Sequence, residues 1–440
     1  MADVRRSSLF ADAGRVLGGQ VAMNVIGLAS TVITARYLGP HDRGVFQLLT
    51  LLPSTLANFA KLGIPQANVY FMRRKGASAT DVVSNSLCFA IGLGVPVALL
   101  AYCFQDGLRN VFFKDAPPEA LLPVLALLPL VLLQQYLLGV AQAQQRFQEY
   151  NFQQLMPTIL ALGGMLVSLV WLHQGLLAAV LVQTGILAFV IVWLAIRVNR
   201  TAKIRLRFRP DLGRGQLSFG VKSYAQTLAA TLHMRVDQYM IAAMLGPAQL
   251  AQYGIAVKMA EFLLKVPDAT GTALFPRLAG ASEADAHTAT MRVCRITLAL
   301  ATVCWLGCAL LGPIVVRLLF GSQYLAAIRP MQLMLPGIVT MSLYHILTRN
   351  FTSRNKQQVN LAAAVTALTT NVALNWVLIP RYGIQGAAIS TSVSYSLAAF
   401  LLLAVFVRES GCSVRQTVLL RPDELGGLWR VATRGLRRAA

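Results

Sequence analysis

Apolar runs of about 20 residues follow one another along almost the whole of this chain. As a helix, at about 1.5 Å per residue, each run spans a hydrocarbon layer about 30 Å thick. Within lipid every backbone amide must be paired inside the protein, and uninterrupted apolar runs meet that demand as helices. Only 13% of the 440 residues are charged, 56% are hydrophobic, and mean hydropathy is +0.59. Soluble domains carry about 25% charge. The sequence therefore predicts an all-α polytopic membrane protein with no separate soluble domain.

Twelve helices are expected, at about 13–37, 44–71, 81–104, 118–145, 151–172, 176–198, 215–245, 248–276, 288–312, 326–350, 357–380 and 384–408. Gly39-Pro40, Pro117-Pro118, Gly246-Pro247, Gly312-Pro313 and Pro380 punctuate the turns. The first run, Val16 to Ala35, is too long for a signal-peptide core and reads as the first span. With the N-terminus in the cytoplasm, the outer loops hold only Arg36, Arg43, Arg109, Lys114, Arg317, Arg329 and Arg381 of the 39 basic residues. Most of the others flank the inner side, which is the expected charge asymmetry and puts both termini in the cytoplasm.

The formal net charge of +22 is thus a consequence of topology, and nucleic acid is not an expected partner. The six cysteines form no CxxC pair or metal-ligand cluster and read as small packing residues.

Three features recur in order at nearly constant spacing. Leu38-Gly-Pro40 matches Leu245-Gly-Pro247, and Leu128-Pro129 matches Leu335-Pro336, both at an offset of 207; Gln174-Gly175 matches Gln385-Gly386 at 211. Two six-helix bundles related by a parallel pseudo-two-fold axis follow, with the substrate path between them. The expected organisation is an N-terminal lobe at 1–198, a basic linker at 199–214, a C-terminal lobe at 215–408 and a basic tail at 409–440. The linker alternates basic and apolar residues from Lys203 to Arg209, a pattern suited to an anionic inner leaflet. In the tail, Leu425, Leu428, Trp429, Ala432 and Leu436 share one helical face, which reads as an interfacial helix or else a frayed end.

Against this apolar background, Lys222, Arg235, Asp237, Lys258, Glu261, Lys265 and Asp268 stand on two adjacent segments. An ionised side chain facing lipid costs about 2.5–3.5 kcal/mol, so such groups line a wet cavity or pair with one another. Lys258, Glu261, Lys265 and Asp268 are spaced 3, 4 and 3 apart and form one stripe; Lys222, Gln226, His233 and Asp237 form another. Arg235 points away from Asp237 and needs another partner. Helix 1 adds Gln20, Asn24, Thr31 and Thr34, and helix 2 adds Lys61.

With Lys61 counted, five embedded cations face three acids, a net-cationic balance that suits an anionic group. Asp237 and Glu261 are the candidates for a coupling proton or sodium ion, because a carboxylate in low dielectric favours neutralisation. A plainer reading stands beside this one. Glu261 and Lys265 in i, i+4 order can neutralise each other, Lys222 and Lys265 can snorkel to the interface, and the helix 1 stripe can be helix–helix glue.

Tyr37-Leu-Gly-Pro-His-Asp-Arg-Gly44 with Val45-Phe-Gln-Leu48, Arg235-Val-Asp-Gln-Tyr-Met240, Ala251-Gln-Tyr-Gly254, Phe275-Pro-Arg277 and Tyr382-Gly-Ile-Gln-Gly-Ala-Ala388 carry a family resemblance. From about residue 10 to 408 the chain resembles the oligosaccharide-flippase branch of the multidrug/oligosaccharidyl-lipid/polysaccharide (MOP) exporter superfamily. The resemblance implies movement of a polyprenyl-pyrophosphate-linked glycan from the cytoplasmic to the periplasmic leaflet of a bacterial inner membrane. It also implies a central cavity bounded mainly by helices 1, 2, 7 and 8, with alternating access. Partners would be that lipid-linked glycan, membrane lipids, and the polysaccharide polymerase and chain-length/export machinery. No cofactor is expected.

Rival readings are multidrug export, which calls for a more acidic and aromatic cavity, and lipid II transport, whose proteins usually carry fourteen helices. A glycosyltransferase or polymerase would need a larger outer loop than the roughly 13 residues between helices 3 and 4. The chain has no DxD, HExxH, GxSxG or P-loop motif, so an enzyme is not expected.

Overall fold

A computed structural model describes residues 2–112, 117–202, 206–265, 282–421, and the single positions 267, 268, 270, 271, 274, 278 and 424. Side chains before Met23 lie outside the described set, as do those at a few further positions, Ser223 among them. Among the described residues the structure is helical, without strands. The helices are α1 (Ala2–Ala60), α2 (Ile64–Arg74), α3 (Ala79–Cys103), α4 (Gln105–Phe112), α5 (Pro118–Ala126), α6 (Leu128–Ala143), α7 (Phe147–Met165) and α8 (Leu176–Ala202). They continue as α9 (Pro210–His233), α10 (Val236–Leu245), α11 (Pro247–Leu263), α12 (Glu283–Phe320), α13 (Ile328–Ser353), α14 (Gln357–Ser410) and α15 (Val414–Val418).

Seven stretches among the described residues are long and apolar enough to cross a bilayer, from Ala79–Cys103 to Gln357–Ser410. Large apolar side chains remain exposed along α12: Val303 (67%), Leu310 (74%) and Leu318 (70%). Such a row on a soluble protein would be a sticky patch, whereas on a multi-pass membrane protein it is the lipid-facing side.

The repeat seen in the sequence has a backbone meaning. Gly39 (φ 72°) and Gly246 (φ 87°) both take the left-handed conformation that glycine alone adopts cheaply. The following proline in each copy starts the next helical run, where its missing N–H costs nothing. Gly383 (φ 60°) breaks α14 in the same way, between the two segments expected there.

Several expected helices are interrupted. The segment expected at 44–71 breaks at Lys61–Gly63, where Leu62 (φ 45°) and Gly63 (φ 72°) turn the chain. The 118–145 segment breaks at Leu127, ahead of Pro129. The 215–245 segment breaks at Met234–Arg235, and the 248–276 segment at Leu264. Apolar periodicity runs on through these positions, so hydropathy alone does not show them.

Two compact units result. The first holds Met1–Leu228, Ala242–Gln252 and Leu319–Gln323; the second holds Ala229–Ile241, Tyr253–Leu318 and Tyr324–Ala440. The first packs around Leu128, Leu132, Tyr136 and Leu137 of α6, against Val82 and Val83 of α3 and Ile64 of α2. Buried in the second are Tyr324, Met331, Leu335, Phe351, Leu402 and Phe406. There α13 meets α14 through small residues. Gly337 donates its N–H to Ser392 Oγ at 2.9 Å, and Thr340 lies 3.0 Å from Ser396, the close hydroxyl-bonded packing common between membrane helices.

The interfacial helix expected at the tail lies outside the described residues, as do positions 203–205 of the linker and the Phe275-Pro-Arg277 motif. What is described of the tail, up to Glu424, is tied down. Ser413 and Gln416 form a capping box, and Glu424 reaches Arg295 of α12.

Candidate functional site

α9 ends at His233, the chain turns through Met234 and Arg235, and α10 begins at Val236. A helix start leaves backbone N–H groups without partners and carries the positive end of the helix dipole. Asp237, in the first turn, supplies an acceptor: its Oδ1 receives the Gln238 N–H at 2.8 Å. Its Oδ2 accepts from the Tyr253 hydroxyl and, at 3.1 Å, from Thr391 Oγ1. Asp237 is 3% exposed and Tyr253 fully buried, so the carboxylate is enclosed.

A polar chain continues from Thr391 along α14. Ser394 Oγ donates to the Thr391 carbonyl at 3.1 Å, and His233 Nε2 lies 3.0 Å from the same hydroxyl. Asn371 donates to Ser394 Oγ at 3.1 Å, and Asn375 to Asn371 Oδ1 at 2.8 Å. All five are buried, and Asn375 Oδ1 has no hydrogen-bond partner among the described residues. The His233 ring meets Tyr395 edge-on, with centroids 5.0 Å apart. Buried polar groups at this density are costly unless bonded to one another.

Arg235 finds its partner in Glu261: Nη1 lies 3.2 Å from Oε1, with side chains 35% and 19% exposed. Arg235 also acts electrostatically on Asp237. Arg235, Asp237 and Glu261 therefore come together within the second unit, where α10 begins. Lys258 and Lys265 are exposed, while Asp268 pairs with Arg349 at 3.3 Å and lies 3.7 Å from His345 Nδ1.

Lys61 and Lys222 belong to the first unit. Lys61 sits at the α1–α2 break, donating to Asn58 Oδ1 at 2.7 Å with its ammonium 5.1 Å from the Tyr224 ring centroid, a cation–π contact. Lys222 is exposed on α9. Asn24 is half-buried on α1; the Gln20 side chain lies outside the described residues. Thr31 and Thr34 bond back to their own helix, at Gly27 O (2.7 Å) and Ser30 O (3.0 Å).

Sequence reasoning missed Tyr253, Asn371, Asn375, Thr391 and Ser394. The available signal was spacing: Asn371 and Asn375 are i, i+4, and Thr391 and Ser394 i, i+3, so each pair shares a face of an apolar helix. Together with Asp237 they form an oxygen-rich set suited to a proton or a hard cation. Among the described residues no three His, Cys, Asp or Glu side chains gather as metal ligands.

The family model described as polysaccharide biosynthesis protein matches residues 33–329. A putative O-antigen transporter of Shigella flexneri is 23% identical over 414 residues, covering 90% of this chain and 97% of that protein. The probable low-salt glycan biosynthesis flippase Agl15 of Haloferax volcanii is 21% identical over 406 residues, covering 91% and 82%. Among solved structures, an inward-facing multidrug resistance MATE family transporter of the MOP superfamily superposes with TM-score 0.74 at 14% identity, covering 88% of this chain and 94% of that one. The lipid II flippase MurJ, in an inward closed conformation, gives 0.72 at 14%, covering 89% of each chain. These likenesses establish the fold.

Proposed function

Since the chain belongs to the polysaccharide biosynthesis protein family, within the MOP superfamily, we propose that it is a flippase for polyprenyl-pyrophosphate-linked oligosaccharides. It carries its cargo from the cytoplasmic to the periplasmic leaflet of a bacterial inner membrane, with both termini cytoplasmic. The observation that carries this reading is the broken helix at Met234–Arg235. It sets a guanidinium, its Glu261 partner and an enclosed carboxylate side by side at the start of α10. Discontinuous membrane helices mark substrate and ion sites in transporters. The names of the Shigella and Haloferax relatives, one an O-antigen transporter and one a glycan biosynthesis flippase, support the cargo class.

In this reading the lobes 1–198 and 215–408 rock about a net-cationic path. Arg235, Lys258, Lys61, Lys222 and Lys265 meet the pyrophosphate, which attracts compact and forked cations alike. Asn24 and Gln20 contribute hydrogen bonds. Asp237 and Glu261 carry the coupling proton or sodium ion, with the Tyr253 and Thr391 hydroxyls holding the Asp237 carboxylate in place. No chemical step is assigned to the chain, and the delivered glycan passes to polymerase and export machinery.

The test is a gene deletion scored for lipid-linked oligosaccharide and surface polymer. The expected result is accumulated intermediate and lost polymer, restored by the intact gene but not by Arg235→Ala or Asp237→Ala at normal protein level. Unchanged lipid-linked glycan with new sensitivity to cationic drugs would overturn the reading in favour of drug export.

A further inference from the structure

A second charged cluster lies in the same unit and takes no part in the Asp237 network. Asp268, beyond the end of α11, holds Arg349 of α13: Nη2 lies 3.3 Å from Oδ1. His345, one turn before Arg349, places Nδ1 3.7 Å from the same oxygen. Lys265, three residues before Asp268, is exposed on the same side of its helix and acts electrostatically on His345. Gly271 keeps the space open, since a Cβ there would come within 3.3 Å of both Arg349 Cγ and the His345 carbonyl.

The balance of charge matters here. Among the described residues, Asp268 pairs with Arg349 and approaches His345, whose Nε2 is buried without a hydrogen-bond partner, and Lys265 acts on the same imidazole as a second permanent cation. A structural ion pair needs only one cation, so the second cation is left for an incoming anion to meet. Arg349 meets Asp268 through Nη2 with its side chain 40% exposed, so the guanidinium has further N–H groups to offer an incoming oxyanion. Asp268 then acts as a positioning residue that fixes the guanidinium plane.

We propose that Arg349, Lys265 and His345, oriented by Asp268, form a binding site for a lipid-borne phosphoanion. On the orientation proposed above, these residues stand toward the cytoplasmic ends of their helices, where a lipid head group arrives before it reaches Arg235. The chemistry is shared by two sources, the pyrophosphate of the cargo and an anionic phospholipid head group. Assigning the cargo rests on the flippase reading; the site itself does not.

The experiment measures binding of farnesyl pyrophosphate, and separately of dioctanoyl phosphatidylglycerol, to the purified full-length protein in detergent. Arg349→Gln and Lys265→Gln are each expected to weaken binding about tenfold, the worth of one charge-assisted hydrogen bond. Gly271→Ala, which displaces Arg349 without removing charge, is expected to weaken it about threefold. The Asp268–Arg349 pair is solvent-facing and contributes little to stability, so these variants fold; an unchanged melting temperature checks this.

Loss confined to farnesyl pyrophosphate supports the site and assigns it to the cargo. Loss confined to phosphatidylglycerol supports the site and detaches it from the cargo. Binding of both probes within about twofold of the parent in all three variants overturns the proposal. If farnesyl pyrophosphate binding is then lost only in Arg235→Gln, the flippase reading survives that failure.

Discussion

The two units differ in the polarity they bury. In the first, the fully buried polar residues near the α2–α9 contact are neutral. Asn68 donates to Ser86 Oγ (2.9 Å) and the Tyr136 carbonyl (3.2 Å), and Gln216 donates to Asn68 Oδ1 (2.8 Å). Asn85 donates to Gln216 Oε1 (3.0 Å) and exchanges two backbone bonds with Arg209. The second unit buries a neutral network as well, from Asn375 through Asn371 to Ser394, and adds buried and half-buried ionic groups: Asp237, Arg235–Glu261, Arg295–Glu424, and Arg354 with Glu409. Amide networks fix how helices pack without creating a charge that an ion or ligand can change. Ionic groups respond to both. The contrast assigns the first unit's network to architecture and places the candidates for coupling in the second.

Arg295 and Glu424 provide the harshest test, because this ionic site is structural. Arg295 Nε and Nη2 meet the two Glu424 oxygens at 2.8 and 2.5 Å, Nη1 donates to the Gln416 carbonyl, and the side chains are 5% and 8% exposed. Removing one partner strands a buried charge, so Arg295→Ala is expected to cost about 3–5 kcal/mol, read as a fall in melting temperature. Arg295→Met with Glu424→Met should cost clearly less than either single change. The Arg295 hydrogen bonds hold the Glu424 carboxyl below its usual range. A depressed carboxyl contributes stability above its unfolded pKa, about 4.3, and loses it as pH falls through the folded value. Thermal stability should therefore drop on acidification below about pH 4.3, and Glu424→Gln should flatten that drop.

Next in size is the neutral network. Gln216→Ala leaves Asn68 Oδ1 and Asn85 Nδ2 without a shared partner, at an expected cost of about 1–3 kcal/mol. If the first unit is architecture, glycan transport should fall only as far as protein level falls. Asp237→Asn should divide the two readouts. The amide keeps a carbonyl for the Gln238 N–H and meets two hydroxyls able to reverse their bonds, so stability should change by about 1 kcal/mol or less. Transport should be lost, because the charge is gone. A loss of transport from Gln216→Ala at full protein level, or full transport by Asp237→Asn, would erase the distinction between the units.

How much of this was legible beforehand depended on the range of the interaction. Apolar runs, glycine–proline turns and the repeat are local, and they marked the helices and the paired breaks at Gly39 and Gly246. The embedded charges were also visible, since Arg235, Asp237 and Glu261 stand out against apolar neighbours. Their partners were not. Which of Lys265 and Arg235 pairs with Glu261 depends on how α11 packs beside the α9–α10 turn, and helical spacing alone favoured Lys265. Tyr253 and Thr391 lie 16 and 154 residues from Asp237. Hydroxyls and amides in membrane helices serve as ordinary glue so often that only tertiary contact singles them out. The break at Met234–Arg235 lacks proline and glycine, the two residues that announce such interruptions.

The smallest expected effect tests the polar stripe on α1. Sequence spacing put Gln20, Asn24, Thr31 and Thr34 on one face as cavity lining or as glue. The structure shows what the two threonine hydroxyls do. Thr31 and Thr34 spend their hydroxyl protons on carbonyls of their own helix, at Gly27 and Ser30, which satisfies them without any neighbour or cargo. Valine has nearly the same shape, and losing the hydroxyl removes only a bond within the helix. Thr31→Val is therefore expected to change stability by about 0.5 kcal/mol or less and to leave transport at the parental rate. Asn24 carries an amide that cannot be satisfied so cheaply in lipid, so Asn24→Ala should lower transport at unchanged protein level. If Thr31→Val abolishes transport while the melting temperature holds, its hydroxyl serves the cargo and the first unit shares the chemistry assigned above to the second.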